Sequence, residues 1–113
     1  MGDVETELEY LDKCLAINPE NKYALSNKGA ALMERGMLDE AEEFFSRAIE
    51  VDAEYSWPYY NLACLSALRG DRQPCIAYLK KALELDPALK EDAMRDICLE
   101  KLRCSESFRE LFE

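Results

Sequence analysis

Apolar side chains recur at helical spacing in successive segments of the chain, and glycine or proline separates the segments. The first full segment covers residues 22–35, precedes Gly36, and carries Tyr23, Leu25, Leu32 and Met33. The next covers residues 38–51 and carries Leu38, Ala41, Phe44, Phe45, Ala48, Ile49 and Val51. Because this spacing puts apolar side chains on one side of an α-helix, the pattern predicts two helices joined by a turn at Gly36.

A second pair of helices follows, with clear start and stop signals. Ser56 is a suitable N-cap, and Pro58 falls in the first turn, where its missing N–H removes no intrahelical bond. Gly70 ends this helix. The dipeptide Asp86-Pro87 closes the helix after it, because a residue before proline avoids helical torsions.

The two pairs are copies of one unit, because the sequence shifted by 34 residues falls onto itself. Identical pairs are Asn27 and Asn61, Arg35 and Arg69, Gly36 and Gly70, Ala48 and Ala82, Glu50 and Glu84, and Asp52 and Asp86. The same shift applied upstream matches Leu11, Cys14 and Ile17 with Phe45, Ala48 and Val51. Small residues such as Gly29 and Ala63 permit close helix approach. The repeat therefore predicts stacked helix hairpins that bury their apolar faces only against their neighbours.

These residues resemble the tetratricopeptide repeat (TPR) family over residues 4–87. The segment YNLACLSALRGDRQPCIAYLKKALELDP has Leu62, Ala63, Gly70, Leu79, Ala82 and Pro87 in register. Residues 22–55 resemble the family equally, except that Ala53 replaces the closing proline. The resemblance implies an all-α fold, a TPR-type right-handed superhelical solenoid of antiparallel helix hairpins. The expected single domain, 1–113, comprises a half repeat at 4–19, repeats at 22–55 and 56–87, and a C-terminal capping helix and tail at 88–113.

The two ends depart from the repeat. Residues 88–113 predict a helix over about 88–103 and a short turn around Phe108, Leu111 and Phe112. They resemble the tail that closes many bacterial TPR arrays, although Ile97 and Ser107 stand where that tail has prolines.

Residues 4–17 predict the second helix of a hairpin whose first helix is absent. Leu8, Leu11 and Leu15 would have packed against it and so predict an unpaired contact surface. Two hypotheses remain: the chain is the C-terminal part of a longer TPR protein, or the strip mediates self-association into a homo-oligomer.

Charge and composition remove several classes of function. The 113 residues include 24 acidic and 14 basic side chains, a formal net charge of −10, and no histidine. We expect neither nucleic acid nor an anionic membrane surface as a partner, and no imidazole chemistry. The acidic run DEAEE at 39–43 opens a helix, where carboxylates complement the dipole, and it lacks calcium-loop spacing.

The cysteines indicate a compartment rather than a cofactor. The five thiols are odd in number and form no CxxC pair, while the N-terminus is acidic and has no long apolar run. We therefore expect reduced thiols, no cofactor or metal, no signal peptide, and a cytoplasmic location.

The resemblance implies that the first helices of successive hairpins line a concave groove. We expect its partner-binding residues to be Tyr23, Asn27, Met33, Trp57, Tyr60, Asn61 and Arg95. Other groove positions are Ser26, Ala30, Glu34, Cys64, Ala67, Leu68, Glu91, Met94, Cys98, Lys101 and Leu102. The groove set is formally neutral. Tyr and Trp combine broad apolar area with a polar tip, and Asn can bond an extended peptide backbone. The alternative is that Tyr23, Met33 and Trp57 are partly buried by neighbouring hairpins.

Some TPR domains grip a C-terminal carboxylate with lysine, asparagine and arginine. Only Asn61 and Arg95 fit that set, while Ser26 and Ala30 stand in place of Lys and Asn and Glu91 in place of a second Lys. We expect no such clamp, because anion capture needs convergent positive charge. The sequence therefore predicts a protein-interaction scaffold for a peptide or partner helix. It predicts no enzyme, because no nucleophile is paired with a base.

Overall fold

The computed structural model describes residues 4–96, 99 and 109–110, and within these residues the chain is all-α, with no strand. The helices are α1 (Val4–Ile17), α2 (Lys22–Glu34), α3 (Leu38–Val51), α4 (Ser56–Arg69), α5 (Arg72–Leu85) and α6 (Leu89–Arg95). The chain divides into two compact units, Met1–Pro58 and Tyr59–Glu113, with the boundary in the first turn of α4. The predicted helical repeat is confirmed.

The first unit is built around α2, which packs against α1 on one side and α3 on another. Phe45, Ala41 and Ala48 of α3 have no exposed surface, and Leu25 of α2 is almost as fully buried. These residues belong to the apolar stripes that the sequence predicted for the two helices. The stripes face each other because α2 and α3 are antiparallel neighbours joined by a short turn.

Gly29 sets how closely α2 and α3 approach. The Phe45 ring occupies the space beside it, so that a Cβ added at Gly29 would lie 2.6 Å from a ring carbon. A contact that short cannot be accommodated without movement of a buried ring. The small residue at position 29 and the large residue at 45 are therefore one packing unit.

Each hairpin turns through a glycine in the left-handed region. Gly36 has φ +81° and Gly70 has φ +80°. After α2, the N–H of Met37 bonds the carbonyl of Leu32 at 2.9 Å and the N–H of Gly36 bonds that of Met33 at 3.0 Å. This pair of hydrogen bonds closes the helix end and turns the chain into α3. Gly70 stands in the same arrangement after α4, because the N–H of Asp71 bonds the carbonyl of Ser66 at 2.9 Å.

The second unit buries large apolar side chains from three helices: Leu65 of α4, Leu79 of α5 and Leu89 of α6. The ammonium of Lys81 on α5 lies 6.0 Å from the ring centroid of Tyr59 on α4. The α5 helix contacts α6 and ends where Asp86 adopts an extended conformation, as Pro87 requires.

The closing helix α6 ends at Arg95, because Asp96 has φ −71° and ψ 126°. The predicted helix over about 88–103 is therefore interrupted at Asp96, and of its later residues only Leu99 is among those described. Asp96 is extended where its carboxylate accepts a hydrogen bond from Tyr60 of α4. The predicted turn around Phe108, Leu111 and Phe112 lies outside the described residues.

The strip of leucines predicted on α1 is not open over its whole length. Leu11 is only 5% exposed, and Leu8 and Leu15 are half-buried. The physical reason is that α1 packs against α2. The prediction of an unpaired residue is therefore wrong for Leu11, while self-association through α1 stays a prediction.

The Gly29–Phe45 contact predicts an outcome opposite to helix propensity. Alanine is the better helix former by about 1 kcal/mol. Nevertheless, Gly29→Ala should lower the free energy of unfolding by about 1–3 kcal/mol, because the new methyl group overpacks the ring. Urea unfolding of the full chain measures this.

The control is the same change in a Phe45→Leu background. Leucine removes the ring, so Gly29→Ala should there be neutral or stabilising relative to Phe45→Leu alone. An equal loss in both backgrounds would contradict the packing account.

Candidate functional site

One stripe of α2 remains open between its contacts with α1 and α3. Tyr23, Asn27 and Ala30 recur at i, i+4 and i+7, and Glu34 continues the line. Tyr23 is 58% exposed, Asn27 and Glu34 are exposed, and Ala30 is half-buried. Met33, also half-buried, lies beside this line. The groove residues predicted on α2 thus share a face that solvent can reach, with one exception, Ser26.

Tyr23 is held in place by the start of α2. Asn21 caps the helix, its side-chain oxygen accepting from the N–H groups of Tyr23 and Ala24, each at 3.1 Å. The Tyr23 ring meets the Tyr55 ring edge-on, with centroids 5.3 Å apart and planes at 73°. Such a pair favours one ring orientation, so the Tyr23 ring has a defined orientation although it is exposed to solvent.

The Lys22 ammonium lies beside both rings, at a similar distance from each. The Lys22 ammonium is 5.3 Å from each ring centroid and forms an ion pair with Asp52, at the end of α3. The hydrogen bond to Asp52 raises the pKa of Lys22, and the same bond lowers the pKa of Asp52. Both groups therefore remain charged at neutral pH. The positive charge is shared with Asp52 and the rings instead of being offered to a ligand.

Ser26 was predicted to line the groove, but it is buried. Its hydroxyl hydrogen-bonds the Tyr55 side chain, while burial and the nearby Tyr23 raise the pKa of Tyr55. Ser26 therefore fixes Tyr55 behind Tyr23, and a partner cannot contact it directly.

The other lysine of α2 is also engaged inside the unit. Lys28 forms an ion pair with Asp12 of α1, and its Nζ lies 4.6 Å from the centroid of the Phe44 ring on α3. It thus connects all three helices. Because both lysines of α2 have internal acidic partners, Glu34 is the one formal charge on the open stripe.

The α4 helix carries the corresponding residues. Trp57 is 40% exposed, Asn61 is half-buried one turn later, and Leu68 is 54% exposed two turns further on. From Ser56 to Leu68 this helix has no charged side chain. The accessible residues of α4 are therefore aromatic, amide or aliphatic. The same repeat positions on α2 hold Tyr23, Asn27 and Glu34, of which only Glu34 is charged.

Tyr60 is not an exposed groove residue. It is only 3% exposed, and its hydroxyl donates to Asp96 Oδ2 at 2.8 Å. Cys64, also buried, has its sulfur 3.8 Å from the same oxygen. Burial, followed by the bond to Asp96, raises the pKa of Tyr60. The contact ties α4 to the residue that ends α6, which gives Tyr60 a structural role that competes with partner contact.

On α6 the predicted residues are accessible. Arg95 and Glu91 are exposed, and Met94 is 58% exposed. Cys98, Lys101 and Leu102 were also predicted at the groove, and they lie outside the described residues. Partner contact by Arg95 stays a prediction.

The cluster of Lys22, Asp52 and Tyr55 was not among the residues predicted from the sequence. The repeat could not have indicated it, because the positions 34 residues after Lys22 and Tyr55 are Ser56 and Leu89. The one available signal was local: Tyr55 is an aromatic residue that follows Glu54 in the linker before α4.

The fold and the open stripes define a helical-hairpin repeat protein. Residues 23–55 and residues 58–89 each match the tetratricopeptide repeat. The chain therefore belongs to the tetratricopeptide repeat family, as the sequence predicted.

Three relatives illustrate the range of the similarity. The chain is 40% identical over 60 residues to an uncharacterized protein, MJ0572, of Methanocaldococcus jannaschii, covering 53% of this chain and 70% of that protein. It is 30% identical over 78 residues to the human mitochondrial import receptor subunit TOM70, covering 68% of this chain and 13% of the receptor subunit. It is 29% identical over 101 residues to the human protein O-mannosyl-transferase TMTC1, covering 83% of this chain and 12% of that protein.

In the part of the chain that the structure describes, no helix has both the length and the apolar character needed to cross a bilayer.

The Lys22–Asp52 pair predicts a pH-dependent stability difference. Asp52 has a pKa below its ordinary value of 3.8, so its contribution is complete above that pH and is lost as pH falls through the lower, folded-state pKa. Lys22 has a pKa above 10.5, so its contribution is complete below that pH and is lost as pH rises through the folded-state pKa. Between these limits Lys22→Met should unfold at a lower temperature than the parent chain.

Lys22→Met retains most of the apolar stem, so the charge is the main difference between the two chains. Thermal unfolding followed by circular dichroism at a series of pH values measures the effect. The difference in midpoint should be constant around neutrality and disappear once the pH has fallen through the lowered, folded-state pKa of Asp52, where its carboxyl is protonated in both chains. A difference that persists unchanged in acid would show that the ion pair is not its cause.

Proposed function

We propose that the chain is a protein-interaction scaffold that binds a peptide segment or partner helix through the exposed faces of its first helices, α2 and α4. Repeats of this family generally mediate protein–protein interaction. The residues proposed to contact the partner are Tyr23, Asn27, Met33, Trp57, Asn61 and Arg95. Tyr60 is left out of this set because it is buried against Asp96.

The main support for the proposal is that α2 and α4 present accessible aromatic and amide side chains, while the lysines of α2 form ion pairs inside the first unit. Tyr23 and Trp57 remain substantially exposed, although each could have been covered by a neighbouring hairpin. Lys22 and Lys28 are paired with Asp52 and Asp12. Aromatic anchors surrounded by uncharged groups are the composition that protein-binding surfaces favour at their centre.

The chemistry of these faces favours a largely uncharged segment of the partner. The asparagine amides can each donate to and accept from a peptide backbone, while the aromatic rings supply apolar contact area. A partner that depended on ion pairs would find one exposed carboxylate on α2 and no charge on α4 before Arg69.

Binding rather than catalysis is also part of the proposal. The word transferase in the name of TMTC1 describes a protein of which the chain covers 12%, and receptor in the name of TOM70 describes one of which it covers 13%. The polar groups proposed to contact the partner are amides, a phenol and a guanidinium, with no base beside a nucleophile. A cytoplasmic location remains part of the proposal, and the reduced thiols of Cys14, Cys64 and Cys75 are consistent with it.

Self-association through Leu8, Leu11 and Leu15 is the less favoured alternative. Leu11 is already covered within the chain, and exposing it would require α1 to leave α2.

The proposal predicts that Trp57→Ala combined with Asn61→Ala removes partner capture. The tagged full chain and its variants are incubated with the same cell lysate, and retained proteins are quantified by mass spectrometry. Because truncating a central aromatic anchor costs about 2 kcal/mol or more, specific partners should fall by at least about tenfold. Capture by the parent chain should persist between low and high salt, because the surface carries little charge.

The matched control is Tyr78→Ala combined with Gln73→Ala, which removes one aromatic and one amide group from α5 instead. It should retain the same proteins as the parent chain. The proposal is wrong if both double variants capture the same set, or if the α5 variant loses it.

A further inference from the structure

A cleft lies where the α1–α2 loop and the first turn of α2 meet the end of α3, entirely within the first unit. It encloses about 480 Å³, within the range of about 300–1,000 Å³ that ligand pockets span. The function proposed above uses one of its side chains, Tyr23, and leaves the others unexplained. The residues that line it, called here the Tyr23 cleft, are Asn18, Glu20, Asn21, Lys22, Tyr23, Val51 and Asp52.

The groups that would attract an anion to the Tyr23 cleft are already engaged inside the chain. The side-chain oxygen of Asn21 accepts from the N–H groups of Tyr23 and Ala24, each at 3.1 Å, and so covers the N-terminus of α2. A helix N-terminus is the end that otherwise favours negative charge. The Lys22 ammonium forms its ion pair with Asp52. The cleft therefore has little positive charge to offer a ligand.

The negative charge of the Tyr23 cleft is only partly balanced. Because Lys22 and Asp52 neutralise each other, the carboxylate of Glu20 leaves the lining residues with a formal charge of −1. Glu20 is exposed, and within the described part of the chain its carboxylate forms no ion pair. The helices α1 and α3 end at this cleft, and neither carries a basic residue in its last turn. Since the C-terminus of a helix favours positive charge, the cleft favours a cation.

The uncharged walls of the Tyr23 cleft favour a long, flat cation. Tyr23 is 58% exposed and Val51 is 42% exposed. An aromatic ring attracts a cation placed over its face, more often an arginine than a lysine, while apolar surface covers the aliphatic stem of such a side chain. A guanidinium is planar and carries five N–H donors, so it can stack on a ring and bond a carboxylate at once.

We propose that the Tyr23 cleft binds one arginine side chain of the protein partner, next to the largely uncharged segment that lies on α2. The guanidinium lies on the Tyr23 ring and faces Glu20, and its aliphatic stem lies against Val51. This inference rests on the proposed function, because Tyr23 belongs to both surfaces. It adds one residue type that a partner must carry.

The test uses single blocked amino acids as probes, because they report on the cleft without the rest of a partner. The full chain is titrated with N-acetyl-arginine amide and observed by NMR. Parallel titrations use the corresponding citrulline derivative, which has nearly the same shape without the charge, and the aspartate derivative, which has the opposite charge.

The arginine probe should produce saturable shifts at Asn18, Glu20, Tyr23 and Val51. Its dissociation constant should be on the order of 1–10 mM, since the probe has only about fifteen non-hydrogen atoms. The citrulline probe should bind several-fold more weakly, and the aspartate probe should produce no saturable shifts.

Two variants test the roles of the lining residues. Glu20→Gln should weaken the arginine probe about two- to fivefold, as expected for the loss of one solvent-accessible ion pair. Tyr23→Leu, which removes the ring and keeps an apolar side chain, should weaken it by a similar factor. Glu43→Gln is the matched control, because it removes the same charge from an exposed position on α3 outside the cleft. It should leave the affinity unchanged.

Three results would overturn the inference. The first is an absence of saturable shifts up to about 100 mM arginine probe. The second is equal or stronger binding of the citrulline or aspartate probe, because the cleft would then not select a cation. The third is equal weakening by Glu20→Gln and Glu43→Gln, which would show attraction to the acidic chain as a whole.

The inference and the proposed function fail in different experiments. If the arginine probe fails while Trp57→Ala combined with Asn61→Ala loses partner capture, only the arginine site is wrong. If that double variant retains the partners, the proposed function is wrong whatever the cleft binds.

Discussion

The close approach of α2 and α3 at Gly29 is the constraint on which the first unit depends. The Phe45 ring fills the space that a side chain at position 29 would need. This contact brings the apolar stripes of the two helices together, and α1 packs against α2 from another side. Because α2 is held between two neighbours, only one line of its residues stays open. The surface proposed to bind a partner is what remains after this packing is complete.

The placement of the charged side chains follows from the same packing of α1, α2 and α3. The lysines of α2 border the open stripe, yet Lys22 pairs with Asp52 of α3 and Lys28 with Asp12 of α1. Both also lie near aromatic rings of the same unit. The basic side chains thus join helices, while the exposed face keeps tyrosine and asparagine. A strongly acidic chain can in this way present a nearly neutral binding surface.

Those parts of the fold that depend on short-range or repeated signals were predictable. The glycine turns at Gly36 and Gly70 and the small–large pair at Gly29 and Phe45 follow from backbone freedom, packing and the 34-residue shift. The hydrogen bond from Tyr60 to Asp96 was not predictable, because Asp96 lies outside the repeated segments. Leu11 was expected to be open but is buried. The repeat indicates that α1 and α2 are neighbours, but it does not indicate which side of α1 faces α2.

Solvent exposure also distinguishes two residues that were both predicted to bind a partner. Tyr23 and Tyr60 are both aromatic residues on first helices, yet one is 58% and the other 3% exposed. The two tyrosines stand at different positions of the repeat: a shift of 34 residues matches Tyr23 with Trp57, which is also exposed, and Tyr60 with Ser26, which is also buried. The repeat position therefore separates the available aromatic residue from the buried one.

Site-specific photo-cross-linking tests most directly whether the exposed faces of α2 and α4 contact a protein partner. A photoreactive amino acid is placed in turn at Asn27, Asn61 and, on α5, Gln73. We expect positions 27 and 61 both to form adducts with the same partner protein, and position 73 to form none. Adducts formed only from position 73, or equally from all three positions, would contradict it.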